Sequence, residues 1–452
     1  MKYVIYLLYF LALVNLTSLK AENNLVNLDN KYSGIVKKII DEAMKDSSAW
    51  ERLAYMCDTF GPRLSGSHNL ENALNWIVDE MKKDGLENIQ RDEVMVPVWI
   101  RGNESCSLIS PRKAKMNFMS YGGSIATPKE GITASVLVVN SFEDLQKKAK
   151  DAKGKIVVYN VPFVNYGQAV QFRWLGHLKA AEVGAVASLV RSVSPIGFQL
   201  PHTGSFAEYV DSIPKIPHGA ITLEDAEMLQ RMQNRGQNPV IYLYLEARTE
   251  PDKLSYNVMG EVKGSVYPDE IIAIGGHIDS WDAGTGAHDD AGGCIATWEA
   301  VKLIKKLGLK PRRTIRAVMW ANEENGARGG KVYAEKHKHE KHHLMFEFDA
   351  GIFPPKSIGF RGPDSLFEIV NTFQPFITQV EPSFNFYKGG WGVDIDPMFK
   401  LGVPAMTFNT NDSGKYFWYH HADSDTPDKI DPKDLNKCIA AIAIAVFLYA
   451  DL

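Results

Sequence analysis

Five short clusters of histidine and carboxylate residues could carry chemistry in this sequence. They are His277 and Asp279 in 276–280, Asp289 and Asp290 in 286–293, Glu323 and Glu324 in 322–326, Asp349 in 348–351, and His420, His421, Asp423 and Asp425 in 420–426. Carboxylate oxygens together with imidazole nitrogens suit a hard-to-borderline divalent cation. So many acids gathered with no Arg or Lys among them would repel one another. Two cations relieve that repulsion better than one, and a shared carboxylate can bridge them at the spacing used by two-metal hydrolases. The chemistry that follows is metal-assisted hydrolysis of an amide bond.

The elements that must position these residues are strands. The runs IIAIG (271–275), TIRAVMWA (314–321), LMFEFDA (344–350) and AMTFNT (405–410) read as buried strands, and AGGCIATWEAVKLIKKLG (291–308) reads as an amphipathic helix ended by Gly308. Each cluster falls just after one of these strands or opens the helix. Strands alternating with helices predict an α/β fold with a mixed, mainly parallel sheet flanked by helices. In such a sheet the carboxyl ends of the strands converge on one crevice, so residues distant in sequence can meet there. The expected division is a signal segment at 1–21, an N-terminal part of the catalytic unit at 22–114, an inserted and mostly non-catalytic domain at 115–252, and the catalytic unit proper at 253–452.

The order H-x-D, D-D-x-x-G, E-E-x-G, D, then H-x-x-x-D-T resembles the co-catalytic zinc exopeptidases of family M28. The resemblance covers 255–452, with GPRLSGS (61–67) and the next helix as an N-terminal extension, and 115–250 resembles the protease-associated domain of several members. It implies two zinc ions per chain. His277, Asp289 and Asp349 would hold one, and Asp289, Glu324 and His421 the other, with Asp289 bridging. Glu323 would be the general base. Asp279 would orient the His277 imidazole, Asp425 would steady the His421 loop, and the Asp289–Asp290 bond would be cis. His420 occupies the place where some relatives carry a Tyr, so the oxyanion donor is either His420 or another group. The resemblance implies a small peptide substrate with free termini, cleaved to release its C-terminal residue, chiefly from dipeptides. An aminopeptidase would share the same metal set. A receptor-like binding protein of this fold would lack a ligand or the base, and none is missing.

Other features bound the reading. His339-Glu340-Lys341-His342-His343 matches HExxH but sits among lysines, so a solvated helix end is expected there. His68, His177, His202 and His218 read as structural or surface residues, His288 as a residue of the pocket or one that supports the ligands from behind, and Asp394 as a pocket or turn residue. With 50 Lys plus Arg against 54 Asp plus Glu and a net charge of -4, the chain is not a strongly basic nucleic-acid binder. The N-terminus carries Lys2, an apolar run from Tyr3 to Val14 and a small residue at Ala21, the pattern of a secretory signal. In a secreted or lysosomal protein, Asn103 and Asn411 are glycosylation sequons, and the four cysteines could form up to two bridges of unassigned pairing. Residues 439–450 are apolar but number only twelve, so a buried C-terminal helix is expected and no membrane anchor. A homodimer is the expected assembly.

Overall fold

The computed structural model describes residues 30–205 and 208–452. The signal segment expected at 1–21 lies outside the described residues. Two eight-stranded sheets organise the chain.

The first sheet holds the predicted strands. Tyr267–His277 lies at its centre, parallel to Arg313–Trp320 on one side and to Lys341–Glu347 on the other, and Lys341–Glu347 is parallel to Ala405–Thr410. The flanking pairs Arg313–Trp320 with Arg248–Val262, and Ala405–Thr410 with Pro355–Arg361, are antiparallel, so the sheet is mixed and parallel at its core. Ile271 to Ile274 are all buried because helices cover both faces, the usual reason a central parallel strand is apolar throughout. Helix Gly292–Lys306 packs against this sheet, with the apolar C-terminal helix Pro432–Ala450 beside it. Both are buried along most of their length. A Cβ on Gly293 would strike the Phe348 carbonyl, so the helix start can approach the strand ends only without one. Among the described residues no helix is long and apolar enough to cross a membrane.

The chain leaves the first sheet along Glu87–Ile100 and returns along Arg248–Val262, antiparallel neighbours with Ile100 opposite Arg248. Between them lies the second sheet, whose strands run from Glu104–Ser110 to Val240–Leu245; the sequence had suggested 115 as the start of this region. Its centre, Ile132–Val139, Ile156–Tyr159, Ala187–Arg191 and His218–Ile221, is parallel. Helix Tyr166–Glu182, capped by the Asn165 side chain on the Gln168 amide, packs against it. Cys57, Cys106, Cys294 and Cys438 are all buried and unpaired, so the bridges that the sequence left open are not formed.

Candidate metal centre

Five separate chain segments meet at one end of the first sheet. His277 is the last residue of its strand, Asp289 lies in the turn Ala287–Ala291 before the long helix, Glu323 and Glu324 follow Arg313–Trp320, and Asp349 lies just beyond Lys341–Glu347. His420 and His421 follow the short helix Tyr416–Tyr419. Asp289 is central. Its Oδ1 lies 3.2 Å from His277 Nε2, and its Oδ2 lies 3.2 Å from His421 Nε2. His277 Nε2 also faces Asp349 Oδ1 at 3.7 Å, and His421 Nε2 faces Glu324 Oε2 at 3.1 Å. The two sets named from the sequence are therefore brought together, with Asp289 between them.

One hydrogen bond fixes which nitrogen of His277 is free: its Nδ1 gives its proton to the Asp279 carbonyl at 3.0 Å. His421 Nδ1 lies 3.3 Å from the Thr203 carbonyl and 3.3 Å from Arg173. The His277 Nε2 lone pair then points at carboxylate oxygens, acceptor against acceptor, an arrangement that demands a positive charge between them. His277 Nε2, Asp289 Oδ2, Glu324 Oε1 and Asp349 Oδ1 are buried without a hydrogen-bond partner. Such orphaned atoms are costly unless a ligand satisfies them. Without a cation the electrostatics call for a proton in its place. Burial alone would lower the His421 pKa, yet Glu324 and Asp289 carry it up to about 9. Burial and the charge of Asp289 raise Glu324 to about 7. Burial also pushes Glu323 well above the ordinary carboxylate range. The donor set fits one or two divalent cations such as zinc.

The supporting residues refine the sequence expectations. Asp279 holds His277 through its backbone oxygen, while its carboxylate accepts the amides of Glu323 at 3.0 Å and Glu324 at 3.4 Å and the Ser65 hydroxyl at 3.2 Å. Asp425 was expected to steady the His421 loop. Instead its carboxylate accepts the amides of His288 and Asp289, at 2.7 and 3.2 Å, and so holds the bridging residue. Asp290 accepts the amides of His277 and Gly293, and the Asp289–Asp290 peptide bond is cis. The GPRLSGS loop contributes Arg63, fully buried, which donates to the carbonyls of Ile278, Thr285 and Gly286 and so ties the first two clusters together.

The second sheet's segment is less remote from the site than its sequence suggested. Arg173 is buried, donates to the Thr203 carbonyl at 3.0 Å and lies 3.3 Å from His421 Nδ1. His202, read as a lone histidine, donates from Nδ1 to the His420 carbonyl at 2.8 Å. The Thr203 amide donates to the His421 carbonyl, and together these bonds hold His421 at a left-handed φ of 62°. The only sequence signal for Arg173 was a charged residue on an otherwise buried helix face. His420 stacks on His421 with ring centroids 3.6 Å apart, and its Nε2 lies 3.8 Å from Asp289 Oδ2, so it too borders the site. His288, next to Asp289, is stacked between Phe353 and Tyr419 and accepts the Ile352 amide. Asp394 is buried and accepts the Gly330 amide. The HExxH residues run from a turn after helix Arg328–His337 into strand Lys341–Glu347, so His339 and His343 share no helix face. Asn103 and Asn411 are exposed.

Residues 257–446 match peptidase family M28. The chain is 44% identical over 431 residues to carboxypeptidase Q of Mus musculus, covering 93% of this chain and 90% of that one. It superposes on a peptidase M28 precursor from Shewanella amazonensis with a TM-score of 0.89 at 34% identity, covering 94% of this chain and 98% of that one. A zinc aminopeptidase from Bacillus subtilis shares the fold at a TM-score of 0.66 and 19% identity, over 88% of this chain and 94% of that one. With the converging histidines and carboxylates, these similarities establish that the chain belongs to peptidase family M28 and is a metallo-exopeptidase.

Proposed function

We propose that the protein is a dizinc exopeptidase that hydrolyses small peptides with free termini, acting as a carboxypeptidase or dipeptidase. One observation carries the dizinc reading: the two oxygens of Asp289 each face a different histidine at 3.2 Å. His277, Asp289 and Asp349 would hold one ion, and Asp289, Glu324 and His421 the other. Zinc bound there supplies Lewis acidity toward a carbonyl oxygen and acidifies water. The protein's own residues do the rest. The Asp279 carbonyl fixes the His277 tautomer from behind, and the Thr203 carbonyl and Arg173 lie behind His421. Glu323, held by its backbone amide on the Asp279 carboxylate, takes a proton from the attacking water and passes it to the leaving amine.

The relatives named carboxypeptidase favour release of the C-terminal residue. The signal-like segment at 1–21 and the exposed sequons at Asn103 and Asn411 support a secretory route, while a homodimer and an inserted protease-associated-type domain rest on the family resemblance. The test is a panel of free, N-blocked and C-amidated dipeptides given to the zinc-loaded protein, with products identified. Cleavage of free dipeptides and poor cleavage of C-amidated ones supports the reading. Equal cleavage of amidated peptides with refusal of N-blocked ones would make it an aminopeptidase, and no cleavage of any would leave a binding protein.

A further inference from the structure

Beside Asp349 the surface sinks into a cavity of about 500 Å³. Its floor is a corner of the first sheet where three strands lie side by side. Asn409 is opposite Ser357, and Ser357 is opposite Asn385, so their side chains stand in one row across the strands. The next row on that face is Thr407, Gly359 and Tyr387. Gly359 leaves room for Tyr387 to lie across it: a Cβ there would come within 2.8 Å of the phenol. The Tyr387 hydroxyl accepts from Asn409 Nδ2 at 3.3 Å.

The register slips between Pro355 and Ser357, and this bulge takes Lys356 out of the ladder. Bulges re-aim side chains in this way. Lys356 lines the cavity, is exposed, and has no carboxylate partner among the described residues. The acids in the same wall are otherwise engaged. Asp412 accepts the Tyr416 amide at 3.1 Å, and Asp349 faces His277. Ala350 is the only aliphatic residue in the lining, so the cavity offers little to a leucine-like side chain.

We propose that this cavity is a substrate subsite that takes a carboxylate, read by the Lys356 ammonium with the Asn385 amide beside it. The proposal rests on the peptidase reading above. A peptide can bring that carboxylate in two ways: as its free C-terminus or as an acidic side chain. In either case a charge-assisted hydrogen bond to Lys356 is the recognition element.

The experiment uses the zinc-loaded full chain and two substrate pairs, each a carboxylate against its neutral isostere. Ala-Ala with Ala-Ala-amide tests the terminus, and Glu-Ala-amide with Gln-Ala-amide tests the side chain. The wild type is expected to prefer the carboxylate member of one pair by on the order of 10- to 100-fold in kcat/KM. Lys356→Met should bring that ratio to about unity, and Lys356→Glu should invert it, both with wild-type zinc content. The pair that responds identifies the source. Since Lys356 is exposed and unpaired, neither variant removes a folding contact. A wild type with no preference in either pair, or a Lys356→Met variant that keeps the wild-type ratios, overturns the subsite. A wild type that cleaves no peptide, blocked or free, overturns the peptidase reading and the subsite with it.

Discussion

The backbone amide of Glu323 donates to the Asp279 carboxylate at 3.0 Å, and the Asp279 carbonyl takes the Nδ1 proton of His277 at the same distance. One buried residue thus sets both the tautomer of a ligand candidate and the loop of the candidate base. Asp279→Ala keeps the backbone carbonyl that holds His277 but removes the carboxylate behind the Glu323 and Glu324 amides, and should lower zinc affinity and kcat/KM by about 10- to 100-fold, the usual effect of losing such support. Asp279→Asn keeps one carbonyl acceptor and should lose less. A zinc-buffered titration beside steady-state kinetics checks this, and wild-type values for both quantities in Asp279→Ala would contradict it.

Glu323 and Glu324 are adjacent but divide the work: Glu324 Oε2 lies against His421, whereas among the described residues no such contact engages the Glu323 carboxyl. Glu323→Gln should keep its zinc and lose roughly 10²–10⁴ in kcat with little change in KM. Glu324→Gln should lose zinc, because an amide is a poor ligand for it. If the two variants behave the other way round, the roles exchange.

The HExxH segment should be silent. His343 Nε2 lies 3.1 Å from Glu270, Glu340 pairs with Arg316 and His337, and none of these residues borders the site. His339→Ala combined with His343→Ala is expected to leave zinc content and activity within about twofold of wild type, since surface changes of this kind cost little. Loss of both together would move the metal site to that segment.

His337 gives a pH-dependent contribution to stability. It lies 2.8 Å from Asp92 and 3.0 Å from Glu340. Burial alone would lower its pKa, but the two carboxylates carry it up to about 9, while His337 and Arg316 pull Glu340 down to about 2 against its own burial. A raised histidine pKa stabilises fully below the unfolded value of 6.5 and loses that contribution as pH rises through 9; the depressed Glu340 contributes above 4.5 and loses it as pH falls through 2. His337→Gln should therefore cost ~1–3 kcal/mol at pH 6, discounted because Glu340 is partly exposed, and markedly less at pH 10. Urea unfolding of both proteins at saturating zinc measures the difference. A gap that stays constant across this range would show that His337 acts by packing alone.

The chemistry was legible because it sits where strands end. A buried strand such as IIAIG is recognisable from its composition, and the His or acid that follows it must lie at the carboxyl end of the strands, so the five clusters could be assembled without knowing the strand order. Arg63, Arg173, Thr203 and His202 were not legible. Their partners are carbonyls and imidazoles more than a hundred residues away for Arg63 on Ile278 and for His202 on His420, and no periodicity encodes such a contact. Asp425 shows a related failure: its neighbourhood in sequence pointed to His421, but the fold of its loop aims the carboxylate at the Asp289 amide instead. The second sheet was recognised by its alternating strands and helices, whereas its approach to the metal centre depends on packing between distant segments.

Asp289 offers the most direct test of the account, since its two oxygens face the two proposed positions. The measurement is zinc bound per chain, by metal analysis after reconstitution and removal of loose ions, for the wild type and for Asp289→Ala. Two ions are expected in the wild type and loss of both in the variant, together with its activity. A wild type that retains a single ion, or an Asp289→Ala variant that still holds two, would contradict it.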